Sequence, residues 1–221
     1  MYIYRRDKTD NYISVGTGFL ISNDGTVMTA KHNIDFSLSC SFWAYYKGNY
    51  YEIRKKQNLN YQYIGVDIIM AQSNIKLNLN PCDFFCDYTL KEETLISEEV
   101  VVIGYENKKN ELLCTTGIIC GVNEGKYEIQ NANIGNGNSG APVVLKRDLK
   151  TLIGVMSKRE SLLLDIERYK IVSDRFGIGY AHSIGLYNQI CGVTISYNNI
   201  VCNLLNTREL SKWEDYFICH I

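Results

Sequence analysis

At 221 residues the chain is long enough to bury a sizeable core, as one large domain or two small ones around a shared site. Its net charge is −1, so no overall field recruits nucleic acid or acidic lipid, and neither is expected as a partner. No run approaches about 18 consecutive apolar residues, so no membrane-spanning helix is predicted. The opening string Met1-Tyr2-Ile3-Tyr4-Arg5-Arg6-Asp7-Lys8 lacks the apolar stretch of an export signal, and a cytoplasmic setting is expected. The eight cysteines (40, 82, 86, 114, 120, 191, 202 and 219) do not follow the spacing of a small stapled scaffold. In a reducing compartment they are expected as buried free thiols. Cys82-x-x-x-Cys86 has the look of half a zinc site, but no second Cys/His pair sits nearby at ligand spacing, so no metal and no cofactor is predicted.

Along the chain, short apolar runs alternate with turn signals. Residues 18–22 and 26–30 flank Asn23-Asp24-Gly25, and 41–47 and 50–55 flank Gly48-Asn49, which are two hairpin signatures. Residues 64–71 form a further apolar run, and 75–97 read as a connecting segment. A second series of strands is predicted at 100–105, 112–122 (broken around Gly117), 126–130, 142–145, 152–157 and 177–182. The charged stretch 159–175 reads as an insertion or a short helix, and the pattern around 197–205 as a C-terminal helix. Strands at intervals of 8–12 residues argue for an all-β barrel or sandwich architecture.

The chemistry concentrates in Gly135-Asn136-Gly137-Asn138-Ser139-Gly140-Ala141-Pro142. Glycine two positions before a serine lets the backbone turn so that two N–H groups converge on one point, with the serine oxygen beside it. That arrangement suits a nucleophile next to an oxyanion site. A general base is needed, and only three histidines are available; His32 follows the run 26–30, where an imidazole can project into a cleft. Asp67 interrupts an apolar run, where an unpaired carboxylate is costly and an imidazole N–H is a fitting partner. Taken singly, each has an ordinary explanation: a loop serine, a surface histidine, a strand-capping aspartate. Taken together, they read His32, Asp67, Ser139, the chain order of one known class of serine hydrolase.

With these blocks in view, the chain resembles the trypsin-like (chymotrypsin-fold) serine proteases, in the style of bacterial HtrA/Deg-type protease domains. Gly16-Thr17-Gly18-Phe19-Leu20-Ile21-Ser22, Thr29-Ala30-Lys31-His32, Val66-Asp67-Ile68-Ile69-Met70 and Gly137-Asn138-Ser139-Gly140-Ala141-Pro142 carry the resemblance. Gly177-Ile178-Gly179-Tyr180-Ala181 is similar to the family's late strand beside the specificity pocket. The resemblance implies two six-stranded antiparallel β-barrels, the first over 1–97 carrying the histidine and aspartate and the second over 98–185 carrying the serine and the pocket. A helical tail is expected over 186–221, too short for the PDZ domain that many such proteins append. It further implies Ser139 as nucleophile, His32 as base, Asp67 as its orienting acid, and the backbone N–H groups of Gly137 and Ser139 as oxyanion hole. Asn133, Ser157, Lys158, Gly179 and His182 are the expected substrate-binding positions.

The departures from the family pattern carry expectations of their own. Asn138 stands where digestive relatives have an aspartate that pairs with a newly cut N-terminus, and no clipping sequence is present, so activation by clipping is not expected. Asn33 and Gly135 stand where secreted relatives carry cysteines. Asn133 occupies the position of the acid that reads basic side chains, so trypsin-like cleavage after Lys or Arg is not predicted. Either His182, or Lys158 with Arg159, lines the pocket and favours acidic or polar side chains, or these are a strand histidine and two solvated cations. The expected partner is a protein or peptide substrate, with an activating protein partner as a further expectation: an enzyme kept quiet until ordered, or one dedicated to a single target in a defence pathway or in viral processing. Two rival readings stand beside this one. An α/β-hydrolase would pair Ser139 with Asp165 or Asp174 and with His182 or His220. A protease-fold binding module would have lost a triad member, and none is lost.

Overall fold

A computed structural model describes residues 1–22, 24–56, 66–76, 91–106, 111–149, 151–166 and 169–183, with 158–166 and 169–178 described as backbone alone. Cys82, Cys86, Cys191, Cys202, Cys219, His220 and the expected helix at 197–205 lie outside these residues.

Among the described residues, twelve strands form two closed barrels. The first uses β1 (Tyr2–Arg6), β2 (Tyr12–Leu20), β3 (Thr26–Thr29), β4 (Ser41–Tyr46), β5 (Asn49–Lys55) and β6 (Ile69–Ser73), in the spatial order β1-β2-β3-β6-β5-β4. The second uses β7 (Glu99–Glu106), β8 (Glu111–Asn123), β9 (Lys126–Gln130), β10 (Pro142–Leu145), β11 (Leu152–Ile166) and β12 (Tyr169–Ser183), ordered β10-β11-β12-β9-β8-β7. Every recorded pairing is antiparallel. The all-β expectation of two six-stranded barrels is met, and the parallel sheet that an α/β-hydrolase needs is absent from the described residues.

Alternation puts one side of each strand into a barrel interior. In β4, Phe42 and Ala44 are buried while Trp43 and Tyr45 face outward. Ile3, Leu20, Val27, Phe42, Ile53 and Ile69 fill the first barrel; Val100, Val102, Ile119, Ile129, Val143 and Met156 fill the second. Each such side chain withdrawn from water contributes about 1.5–3 kcal/mol before the entropy of ordering is subtracted.

Several strand expectations change. β1 was not foreseen; it closes the first barrel between β2 and β4. β2 starts at Tyr12, earlier than the predicted 18–22 strand. Of the apolar run 64–71, residues 66–71 are described and are strand from Ile69, and the connecting segment 75–97 contains a 3-10 turn at Glu92–Leu95. β8 is continuous through Gly117, and its irregularity falls between Ile119 and Gly121. The largest correction concerns 159–175: its described residues form no short helix but belong to β11 and β12, which stay paired out to Ile166 and Tyr169. Cross-strand hydrogen bonding stabilises a ribbon there that the dense charge pattern concealed.

Candidate active site

His32 sits in a 3-10 turn, Lys31–Asn33, immediately after β3, rather than on the strand end itself. Asp67 precedes β6, the neighbour of β3, and two backbone-level contacts lock the segments together. The Lys31 N–H donates to the Asp67 carbonyl at 3.2 Å, and the His32 N–H donates to Asp67 Oδ1 at 3.0 Å. The imidazole Nδ1 lies 2.7 Å from Asp67 Oδ2. An ionised carboxylate only accepts, so Nδ1 carries the proton and Nε2 is left with its lone pair, as a base requires. The imidazole is about half exposed (47 %) whereas the carboxylate is 23 % exposed, so the ring is reachable and its partner is shielded.

Asp67 also accepts a hydrogen bond from the Ser157 hydroxyl. Burial is the largest single influence on the Asp67 pKa and pushes it up. The bonds from the His32 ring, Ser157 and the His32 backbone, together with attraction to the imidazole, outweigh it and hold the carboxyl below its ordinary value. The sequence places Ser157 only among the substrate-binding positions. It lies at a shift in register between Met156 and Lys158, which no local sequence signal announces.

Ser139 is reached through the same group. Its hydroxyl donates to the Ser157 carbonyl at 2.9 Å, so a continuous set of contacts runs His32, Asp67, Ser157, Ser139. The serine turn is built for close approach. Gly137 has φ of +107° and Gly140 +86°, a region open to glycine at no steric cost. Among the described residues, the N–H groups of Gly137 and Ser139 donate to no protein acceptor, whereas the flanking N–H groups of Asn138 and Gly140 bond to Gly135 and Met156 carbonyls. The buried Asn138 turns its amide oxygen back to the Gly135 N–H at 2.9 Å, so the turn is braced from within.

The first barrel grips this turn directly. The Ser139 carbonyl accepts from the Thr17 N–H at 2.7 Å and from Asn33 Nδ2 at 2.8 Å; the Thr17 hydroxyl donates to the Gly137 carbonyl at 2.6 Å and accepts from the Tyr105 N–H at 2.9 Å. Thr17 and Asn33 were not foreseen in this role. Their signal was present only in hindsight: a buried Thr and a buried Asn beside Gly16 and His32.

Of the remaining expected positions, Asn133 is exposed on the approach to the turn. Gly179 is buried in β12, where a Cβ would come within 2.3 Å of Ile134 and 2.5 Å of Met156. His182 is buried in β12 between Val155 and Lys126. Lys158 and Arg159 lie on β11 opposite Tyr180 and Gly179.

A family model described as a trypsin-like peptidase domain matches residues 16–155, most of the chain, including His32, Asp67 and Ser139. The chain belongs to the trypsin-like peptidase family. Among solved structures it is similar to a serine endoprotease from Yersinia pestis, with a TM-score of 0.59 and 21 % identity over 86 % of this chain. The likeness covers 60 % of that chain's length and is one of fold. Comparison with curated proteins finds no match. Among the described residues, no helix of this family member is long and apolar enough to cross a membrane.

Proposed function

We propose that this trypsin-like protease is an endopeptidase that cleaves through an acyl-enzyme, with Ser139 as nucleophile, His32 as base and Asp67 as orienting acid, acting in the cytoplasm on a restricted set of proteins. The observation that carries the reading is the contact from His32 Nδ1 to a doubly supported Asp67, in one connected group with Ser139. His32 Nε2 takes the hydroxyl proton as Ser139 Oγ attacks the peptide carbonyl. The oxyanion is met by the N–H groups of Gly137 and Ser139. His32 then protonates the departing amine, and a water activated by His32 hydrolyses the ester.

A second reading keeps the same residues but makes the free enzyme quiet until a partner or substrate orders it. What favours it is the Ser139 hydroxyl itself, which donates to the Ser157 carbonyl rather than to His32. An incoming N–H that takes that carbonyl releases the hydroxyl toward the imidazole. Catalytic hydrogen bonds of this kind commonly tighten only in the substrate complex.

Labelling with a fluorophosphonate tests the assignment. The wild-type chain is expected to label, and Ser139→Ala and His32→Ala to lose labelling; label retained in Ser139→Ala would reject the nucleophile. Cleavage of unfolded casein by the purified chain alone, with a burst of the first product, would favour constitutive activity over the quiet state.

A further inference from the structure

Ser139 presents two oxygens to its surroundings, a hydroxyl that reacts and a carbonyl that does not. The hydroxyl donates to the Ser157 carbonyl, a bond that must break before the imidazole can receive the proton. The Ser139 carbonyl is held by two donors, the Thr17 N–H at 2.7 Å and Asn33 Nδ2 at 2.8 Å, and neither bond need change during the reaction. The first is a main-chain bond, which any residue but proline at position 17 supplies. The second depends on one side chain, and that side chain follows His32 directly in the turn Lys31–Asn33. One amide thus joins the backbone that carries the base to the backbone that carries the nucleophile.

The network dictates how this amide lies. Its second N–H goes to Thr29 Oγ1 at 3.0 Å. The Thr29 hydroxyl has one proton, which it gives to the Thr17 carbonyl at 2.6 Å, so toward Asn33 it only accepts. Turning the amide over would set Oδ1 against two acceptors, Thr29 Oγ1 and the Ser139 carbonyl. Glycines make the room: a Cβ on Gly16 would lie 2.4 Å from Asn33 Nδ2, and one on Gly140 2.8 Å from it. The 3-10 turn is braced in its own right by bonds from the Asn33 N–H to the Ala30 carbonyl and from the Ile34 N–H to the Lys31 carbonyl, both 3.1 Å. Asn33 is 2 % exposed, and among the described residues its Oδ1 is buried without a hydrogen-bond partner. A buried unpaired acceptor costs at least as much as one ordinary hydrogen bond returns, so the amide is a poor choice for stability alone. Local costs of this kind belong where function needs a particular geometry.

We propose that Asn33 is a positioning residue of the hydrolysis: through the Ser139 carbonyl its amide sets the reach from Ser139 Oγ to His32 Nε2, and keeps it set while the hydroxyl changes partner. The inference rests on the endopeptidase reading and deepens it by assigning a role outside the triad. Asn33 acts through the two main chains that it joins. Proton transfer is sensitive to such spacing, and a misplacement of about 1 Å costs about 10²-fold in rate. Substrate affinity does not draw on the distance between base and hydroxyl, so the loss falls on kcat and leaves KM in place.

The test uses the full chain and any peptide that it cleaves. Asn33→Ala removes both donors, and kcat is expected to fall by about 10- to 100-fold with KM level. Circular dichroism and the urea midpoint should show the variant folded under the assay conditions. A role confined to holding the fold predicts instead that activity falls only by the fraction unfolded. In Asn33→Asp the isosteric carboxyl donates to the Ser139 carbonyl while protonated; once ionised it only accepts, and opposes that carbonyl. The residues that surround the amide, Gly16, Thr29, Ser139 and Gly140, carry no charge, and the titration of His32 is common to both chains. The ratio of the variant's kcat to that of the wild type, taken at each pH, is therefore expected to be highest in acid. It should fall as pH rises through the pKa of the new carboxyl, which burial raises. Undiminished kcat in Asn33→Ala, a loss matched by unfolding, or a ratio for Asn33→Asp that does not fall with pH would overturn the proposal. If Asn33→Ala does not fold, the Asn33→Asp series decides alone. A wild-type chain that labels with fluorophosphonate, beside an Asn33→Ala variant of equal turnover, sinks only the role of Asn33. A wild-type chain that neither labels nor cleaves sinks the endopeptidase reading, and the positioning role with it.

Discussion

The first barrel closes economically, with strands of four to nine residues, whereas the second contains strands of 13 and 15. The contrast extends to how each holds its contribution to the site. In the first barrel, His32 and Asp67 come from neighbouring segments and fix each other through three bonds, two of them to backbone N–H groups of the 31–33 turn or its partner. In the second, Ser139 rides on a glycine turn whose shape is set partly by Asn138 and partly by Thr17 and Asn33 reaching over from the first barrel. The first half is held mainly from within, with one bond to Asp67 from Ser157 of the second barrel, and the other is ordered across the seam. Changes in the first barrel should therefore affect chemistry more than folding, and changes at the seam should affect both.

The sharpest way to break that contrast is Asp67→Asn. The amide no longer dictates which imidazole nitrogen carries the proton, so turnover is expected to fall by about 10⁴-fold with the fold intact by circular dichroism. The same variant checks the titration. Asp67 has a lowered pKa in the folded state, so its stabilising contribution is fully present above the ordinary carboxylate pKa and is lost as pH falls through the lowered value. Wild-type stability should decline across that acid window, and the decline should be shallower in Asp67→Asn; parallel curves would remove Asp67 from the account.

Gly140→Ala comes next. A Cβ there would lie 2.1 Å from both the Thr17 carbonyl and Thr29 Oγ1, at a φ of +86°. Overpacking and a left-handed alanine together should cost roughly 2–5 kcal/mol, lowering Tm by roughly 5–15 °C for a chain of this size. Activity should fall in parallel, and an unchanged Tm would refute the tight seam. Thr17→Val is the smallest of the three. It leaves the Gly137 carbonyl and the Tyr105 N–H without the hydroxyl, for about 1–3 kcal/mol by urea midpoint. If turnover then falls no further than stability explains, the hydroxyl braces the fold and not the turn.

Much of this was legible in the sequence because it is written locally. Asn23-Asp24-Gly25 and Gly48-Asn49 mark turns by backbone preference, and the glycines around Ser139 mark a conformation that other residues resist. The reading failed where distant pairing decides. Tyr2-Ile3-Tyr4 alternates too briefly to announce a strand, and only β2 and β4 on either side make it one. Residues 159–175 mix Leu162-Leu163-Leu164 with many charges and fit several local structures; their partner across the ribbon selects extended backbone. Ser157 looked like a wall of the pocket, because nothing near it in sequence reveals that its hydroxyl faces Asp67.

The grip of Thr17 and Asn33 on the Ser139 carbonyl has a consequence for how activity can be inherited by pieces of the molecule. A fragment bearing only the later half would hold an ordinary alcohol, without its base and without the clasp that aims it. On the proposed triad, reactivity would return only on reunion with the earlier fragment, and the intact seam would then guard against stray hydrolysis by a half-made chain.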